Sequence, residues 1–465
     1  MPKLQIQLIY GQPVEDSLII SAIKQMIYSG DNAQIQLRLT QQGTPMDCLS
    51  FSQGGNWFHL VFGDAEHYYH YDVFDGWTTE DIEEENEGGD QAEGDPCIEY
   101  TIENGAIVSA KLYGFKSIPA NMFKYWTSLT SVDLSGCKKL QSIQDSAFFG
   151  CTALENIDLP NSVVSIGPSA FSTCRSLKLT RLPDGLTSIS NSAFNQCNAL
   201  ALTSLPSKIT KIEDYAFSTC YALALTSLPD GLTSIGNNAF ASCTSLALTS
   251  LPDGLTSIGT DAFSGCSALA LTSLPSGIET IQARAFRNCT SLALTSLPDT
   301  VTQIQGEAFY GCTSLALTSL PDGLTSITAS SFYNCSALAL TSLPEGITRI
   351  YNSAFYGCTS LVLNSLPETL TRIDQFAFSG CTSLALTSLP DSLTYIERDA
   401  FEDCTSLALT SLPSGLTNIP YRAFRNCTSL ALTSLSDNLQ IDTYAFENCS
   451  SLALTSLPSG LTYNS

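Results

Sequence analysis

From Cys151 onward, the apolar positions of this chain recur at a fixed interval. Cysteines stand at 151, 174, 197, 220, 243, 266, 289, 312, 335, 358, 381, 404 and 427, each 23 residues after the last, and a final step of 22 leads to Cys449. After most of them Leu takes the third, fifth and eighth places and Pro the ninth, as in Leu246, Leu248, Leu251 and Pro252 after Cys243. A second apolar pair follows, here Leu255 and Ile258, and then Ala262-Phe263 just before the next Cys. The copy opening at Cys151 reads CTALENIDLP, with Ile157 as its middle apolar residue. A unit this short cannot bury its apolar face alone and must stack on its neighbours, which predicts a solenoid. Each turn is expected to hold a short strand at the Leu-rich run, a bend, and a short helical turn near Ala-Phe, for about 14–15 turns in all. Pro lacks an N–H, so it can end the strand without orphaning a donor. Leu and Phe are expected to point inward, each burial stabilising by roughly 1.5–3 kcal/mol. Ala precedes Phe because the backbone should approach its neighbour there, and the one exception, Ser331, is also small.

The first 79 residues do not repeat, and they predict a small β-rich attachment domain. QIQLIY and AQIQLRLT alternate as half-buried strands do, SLIISAIKQMIY has the spacing of a short amphipathic helix, and Gly43 to Pro45 reads as a turn. NWFHLVF and HYYHYDVF, separated by GDAE, predict an aromatic hairpin. Residues 80–95 carry nine acids among sixteen positions with three Gly, the composition of a flexible linker. Residues 96–114 predict a capping hairpin, because Asn104-Gly105 suits a tight type I′ turn. The repeats then fill 115–465 and stop mid-repeat at Ser465. That end is expected either to self-associate or to be capped by LTYNS folding back, and the N-terminal domain is a second candidate for self-association.

Charge narrows the function classes. A formal charge of −24 and a pI near 4.3 argue against nucleic acid and anionic membrane surfaces, which need clustered Lys and Arg. No apolar run approaches the roughly 18–20 residues that span a bilayer. The opening MPKLQIQLIYGQPVEDSLIIS has no continuous apolar core and reads as the start of a folded domain, not a signal peptide. The 17 cysteines suggest disulfides until their placement is considered. All but Cys48, Cys97 and Cys137 share one repeat position. Neighbouring rungs would hold their Cβ vectors parallel, the wrong geometry for a bridge, so they are expected to be buried free thiols. The three histidines, His59, His67 and His70, fall in the aromatic hairpin. His67 and His70 would face opposite sides of a strand, so no shared metal is expected.

The repeat residues resemble the BspA-type, or Treponema pallidum-type, leucine-rich repeats. Their pattern is Leu-x-x-Ile-x-Leu-Pro-x-x-Leu-x-x-Ile-Gly-x-x-Ala-Phe-x-x-Cys. The likeness covers roughly 115–465, with period, Pro, Ala-Phe and Cys in place in fourteen copies. Most copies depart from it in reading Leu-Ala-Leu-Thr-Ser-Leu-Pro, which shifts the inner apolar residue by one. The resemblance implies a curved solenoid with a sheet along one side, on surface or secreted proteins that adhere to host or bacterial partners and are not enzymes. AQIQLRLTQQGTPMDCLSF in turn resembles the strand openings of phage baseplate and fibre proteins, which implies a virion location as the alternative.

Function should then lie in the letters that change. The strand positions Ala247, Thr249, Ser250 and their equivalents barely vary and form a flat face poor in anchors, whereas Thr260, Asp261, Ser264 and their equivalents do vary. Among these, Tyr310, Tyr333 and Tyr356 hold one position in three consecutive rungs, one rung after Arg287. Tyr351, Phe376, Tyr421, Arg422 and Arg425 enrich the same side. Tyr and Arg dominate binding hot spots, and stacked Tyr could also pack on sugar rings. No phosphate loop, HExxH or GxSxG is present. The expectation is a non-enzymatic binding or adhesion protein without cofactor or metal. Its partner would be a protein or glycan at a host or bacterial surface, with a virion protein or a structural spacer as alternatives.

Overall fold

The computed structural model describes the strands within 4–78 and 97–103, and residues 106–455 except 438. The expected helix at SLIISAIKQMIY, the acidic linker and the LTYNS end lie outside the described residues. The chain is a β-solenoid of about 14 turns. It divides into two compact units, Met1–Leu223 and Ala224–Ser465, so the boundary falls inside the repeats.

In the first unit β1 (Leu4–Ile9) pairs in parallel with β2 (Ile35–Gln41), which pairs antiparallel with β3 (Thr44–Asp47). Thr44 and Pro45 therefore lie in a strand, not in the expected turn. Next come β4 (Ser50–Gln53), β5 (Trp57–Phe62), β6 (Ala65–Asp72) and β7 (Gly76–Thr78), with β5 and β6 forming the aromatic hairpin. The pair β8 (Cys97–Glu103) and β9 (Ala106–Tyr113) is a second antiparallel hairpin. On one side β8 pairs with β4; on the other β9 runs parallel to Ser131–Gly136 of the first turns. One eight-stranded sheet thus contains N-terminal strands, hairpin and repeat strands together.

The second unit shows the regular repeat most plainly. Leu246, Leu248, Leu255, Ile258, Phe263 and Cys266 are all almost completely buried, while Ala247, Thr249 and Ser250 are exposed. The strand assigned to each turn is only two residues long and lies at the second apolar pair, as in Ser257–Ile258 pairing with Ser234–Ile235. The Leu-Ala-Leu run, where the strand was expected, is extended and makes single backbone bonds to the previous rung, as from Ala270 N–H to the Leu248 carbonyl (3.0 Å). The Thr or Ser after Cys in these repeats also has a role. The hydroxyls of Thr313, Ser336, Thr359, Thr382, Thr405 and Thr428 each donate to the carbonyl of the equivalent residue one rung earlier.

No helical turn forms at Ala-Phe, contrary to the expectation. A helix needs successive N–H groups to bond backward within the same chain turn. Here alternate N–H groups leave the turn instead. Asp261, Phe263 and Gly265 donate to the carbonyls of Ala283, Ala285 and Arg287 on the next rung, at 3.0, 2.9 and 2.7 Å. Between them Ala262, Ser264 and Cys266 bond back three residues within their own turn. Asp261 and Gly265 are left-handed, at φ 55° and 76°, and the same two positions are left-handed in rung after rung of each unit. Ala carries the carbonyl that receives the previous Phe N–H, which accounts for its small size. Ser331 keeps that bond and spends its hydroxyl on the Thr328 carbonyl (2.7 Å).

Phe rings stack along each unit, at 5.1–5.6 Å from Phe123 to Phe217 in the first and 5.4–5.7 Å from Phe240 to Phe446 in the second. The repeat cysteines are free and buried. Most are more than small hydrophobes, because the thiol donates to the Phe carbonyl of the rung before, as from Cys266 Sγ to Phe240 at 3.0 Å. Burial pushes the thiols of Cys266, Cys289 and Cys335 well above their ordinary pKa.

Candidate partner-binding surface

Tyr310, Tyr333 and Tyr356 each follow a buried Phe, and their carbonyls are held by the previous rung. Tyr310, Tyr333 and Tyr356 accept from the N–H groups of Asn288, Gly311 and Asn334 at 2.6–2.7 Å. With the backbone so fixed, their rings stack at 4.5 and 4.6 Å, within 7° of parallel. The Arg287 guanidinium lies 5.0 Å over Tyr310, with Glu307 3.4 Å from its Nε. Phe376 closes the other end, edge-on to Tyr356 at 6.3 Å. Burial, with the flanking tyrosines adding, pushes the Tyr333 phenol above its ordinary pKa. The sequence reading is corrected in one respect. Each ring face is occupied by its neighbour, by Arg287 or by Phe376, so no flat face is open to a sugar. What the column presents is ring edges and a row of hydroxyls.

The other nominated residues fall into separate clusters. Tyr351 lies under Arg349 (4.5 Å), which grips the buried Asp374 with both Nε and Nη2. Arg372 bridges Asp374 and Glu397 and covers Tyr395 at 4.3 Å. Sequence reasoning missed Arg349, Arg372 and Tyr395, although they hold one position in three consecutive rungs and that repetition was legible. Arg425 is fixed by Glu402 (2.8 Å) and Glu447 (2.7 Å). Tyr421 carries Arg422 over its ring at 4.8 Å and meets Tyr444 edge-on at 5.9 Å. Among the described residues no group of three or more His, Cys, Asp or Glu side chains could hold a metal ion.

Comparison with known proteins identifies this architecture. The BspA type leucine rich repeat region matches residues 116–247, 233–362 and 350–464. The chain belongs to the BspA-type leucine-rich repeat family. It is similar in structure to a leucine-rich repeat protein from Bacteroides ovatus, 28% identical over 76% of this chain and 90% of that one, with a TM-score of 0.52. A leucine rich cell surface protein from Faecalibacterium prausnitzii is 24% identical over 76% of this chain and 96% of its own, with a TM-score of 0.38. No curated protein matches the chain. Leucine-rich repeat proteins of this type are generally non-enzymatic binding proteins, typically surface-associated, that engage other proteins. Among the described residues no helix is long and apolar enough to cross a membrane.

Proposed function

We propose that this BspA-type repeat protein is a non-enzymatic adhesin that binds a protein at a host or bacterial cell surface through the turn side of its second unit. The observation that supports this most is the Arg287–Tyr310–Tyr333–Tyr356–Phe376 column, in which rigid aromatic edges, hydroxyls and a guanidinium are prearranged on consecutive rungs. Side chains already held in place lose little entropy on binding, which favours affinity. Tyr and Arg are also the types that carry hot-spot energy. The Leu-Ala-Leu-Thr-Ser face, by contrast, is small and uniform and offers no anchor.

The test is a binding screen of the immobilised full chain against host-cell and bacterial surface proteins. It is repeated with Tyr310, Tyr333 and Tyr356 all changed to Ser. A partner that the native protein retains and the variant loses supports the proposal. A partner held equally by both, or none across the screen, refutes it.

A further inference from the structure

At the left-handed place before the repeat cysteine, asparagine behaves in two ways. Where polar residues follow one another on successive rungs, they bond. Asn426 Nδ2 donates to Asp403 Oδ1 at 2.6 Å, and Asn448 Nδ2 donates to Asn426 Oδ1 at 2.8 Å. Asn288 and Asn334 are each followed one rung later by a glycine instead, Gly311 and Gly357. Their Oδ1 atoms fill the space that a Cβ on those glycines would need. Both asparagines are exposed, and among the described residues neither Nδ2 makes a hydrogen bond.

These two open amides flank the Tyr310–Tyr333–Tyr356 column, and the surface they make with it is rich in donors. Amide Nδ2 groups and phenol hydroxyls give protons, and the presented ring edges carry the positive end of the aromatic quadrupole. The potential acceptors are largely spent. The asparagine Oδ1 atoms face the glycines, and the tyrosine carbonyls are held by the rung before. Arg287 has Glu307 at 3.4 Å, so the column has no net charge with which to draw an anion. The complement is a neutral chain rich in acceptors and poor in donors. A run of prolines has that chemistry, because each proline keeps its carbonyl and lacks an N–H.

Spacing selects the same partner. The tyrosine rings advance by 4.5 and 4.6 Å per rung, so the open amides, two rungs apart, repeat at about 9 Å. Polyproline II turns once every three residues, or about 9.3 Å, and makes no internal hydrogen bonds, so its carbonyls are available. Carbonyls three residues apart would then meet Asn288 and Asn334 in step. A β-strand repeats its facing residues at about 6.8 Å and would not.

We infer that the tyrosine column binds a proline-rich segment of its partner in the polyproline II conformation, with Asn288 and Asn334 donating to carbonyls three residues apart. This rests on the adhesin reading and names the part of the protein partner that the column grips. Such a segment is extended before it binds, and the stacked rings are already in place, so little ordering entropy is lost on either side.

Fluorescein-labelled decaproline and a Gly-Ser decapeptide are titrated with the full-length protein by fluorescence anisotropy. The titrations are repeated with Asn288→Gly, Asn334→Gly and Asn426→Gly, since glycine holds this left-handed place in other rungs and tolerates it without strain. The inference predicts binding of decaproline alone. It also predicts a loss of about three- to tenfold for each of the first two variants, the equivalent of one hydrogen bond, and no change for Asn426→Gly. Absence of decaproline binding, equal binding of the Gly-Ser peptide, or affinity indifferent to Asn288→Gly and Asn334→Gly overturns the inference. Competition separates it from the adhesin proposal. A surface protein that the Tyr310/Tyr333/Tyr356→Ser variant loses, but that decaproline does not displace from the native chain, overturns the inference and leaves the adhesin proposal standing.

Discussion

The left-handed position before each repeat cysteine can be tested by making the same exchange in opposite directions. Thr173 holds that position in the first unit at φ 66°, and Gly265 holds it in the second at φ 76°. For a residue with a Cβ, and a β-branched one above all, this conformation costs roughly 1–2 kcal/mol. Thr173→Gly removes that strain but adds glycine's extra backbone entropy, about 0.5–1 kcal/mol. The net expectation is a stabilisation of about 0.5–1 kcal/mol. Gly265→Thr should destabilise by about 0.5–1 kcal/mol, since the strain it adds is partly offset by the loss of glycine's extra backbone entropy. Steric crowding is not the cause there, because a Cβ built at Gly265 meets Ser242 no closer than 3.5 Å, an ordinary contact. Urea midpoints of the full-length variants, followed by circular dichroism, measure both changes. A Thr173→Gly variant less stable than native, or a neutral Gly265→Thr, refutes the left-handed turn ladder.

Three further outcomes are expected. Phe263→Ala, at a fully buried ring stacked 5.4 and 5.7 Å from its neighbours, should cost about 3–5 kcal/mol; hydrogen exchange should show protection lost first at the rungs of Phe240 and Phe286, since contacts run between neighbouring rungs. Cys266→Ala should cost only about 1–2 kcal/mol, because the Phe240 carbonyl keeps its bond from Cys243 N–H (3.0 Å), and a thiol reagent at pH near 8 should leave the native repeat cysteines unlabelled until urea unfolds the chain. Burial holds the Asp399 carboxyl above its ordinary 3.8, so the folded chain binds that proton more tightly than the unfolded one. Its contribution to stability is therefore fully present below pH 3.8 and is lost as pH rises through the folded value. Asp399→Asn should abolish that slope, and equal pH dependence of native and variant melts would contradict the assignment.

Much of the fold was legible because stacking imposes one residue type on one place. The Leu, Ile, Phe and Cys columns that the period picks out are the buried columns. The local conformation was harder to read, for a physical reason. Ala-Phe with polar neighbours has helical propensity, and only the rung above, by accepting alternate N–H groups, turns the segment into a loop that is left-handed at its two ends. A signal for this was nonetheless present, since the place before Cys is Gly at 150, 265, 311, 357 and 380 and Asn at 288, 334, 426 and 448. The thiol bonds were invisible because burial alone explains a cysteine. At the surface, the tyrosine column followed from identical spacing, but the sequence could not show that stacking closes the ring faces. Nor could it show that Arg422 lies over Tyr421 and not in hydrogen bonds to Asp399, because the same Asp and Arg letters one rung apart form a closed pair at 261 and 284.

The central claim is that function resides in the varied turn side while the constant letters build the stack. It is tested most directly by the affinity of a surface-protein partner for native protein and for the Tyr310/Tyr333/Tyr356→Ser variant, at matched urea midpoints. The account predicts a loss of about a hundredfold, the equivalent of about 2.7 kcal/mol and typical of removing hot-spot tyrosines, with the fold intact. Equal affinity of the two proteins for that partner would contradict it.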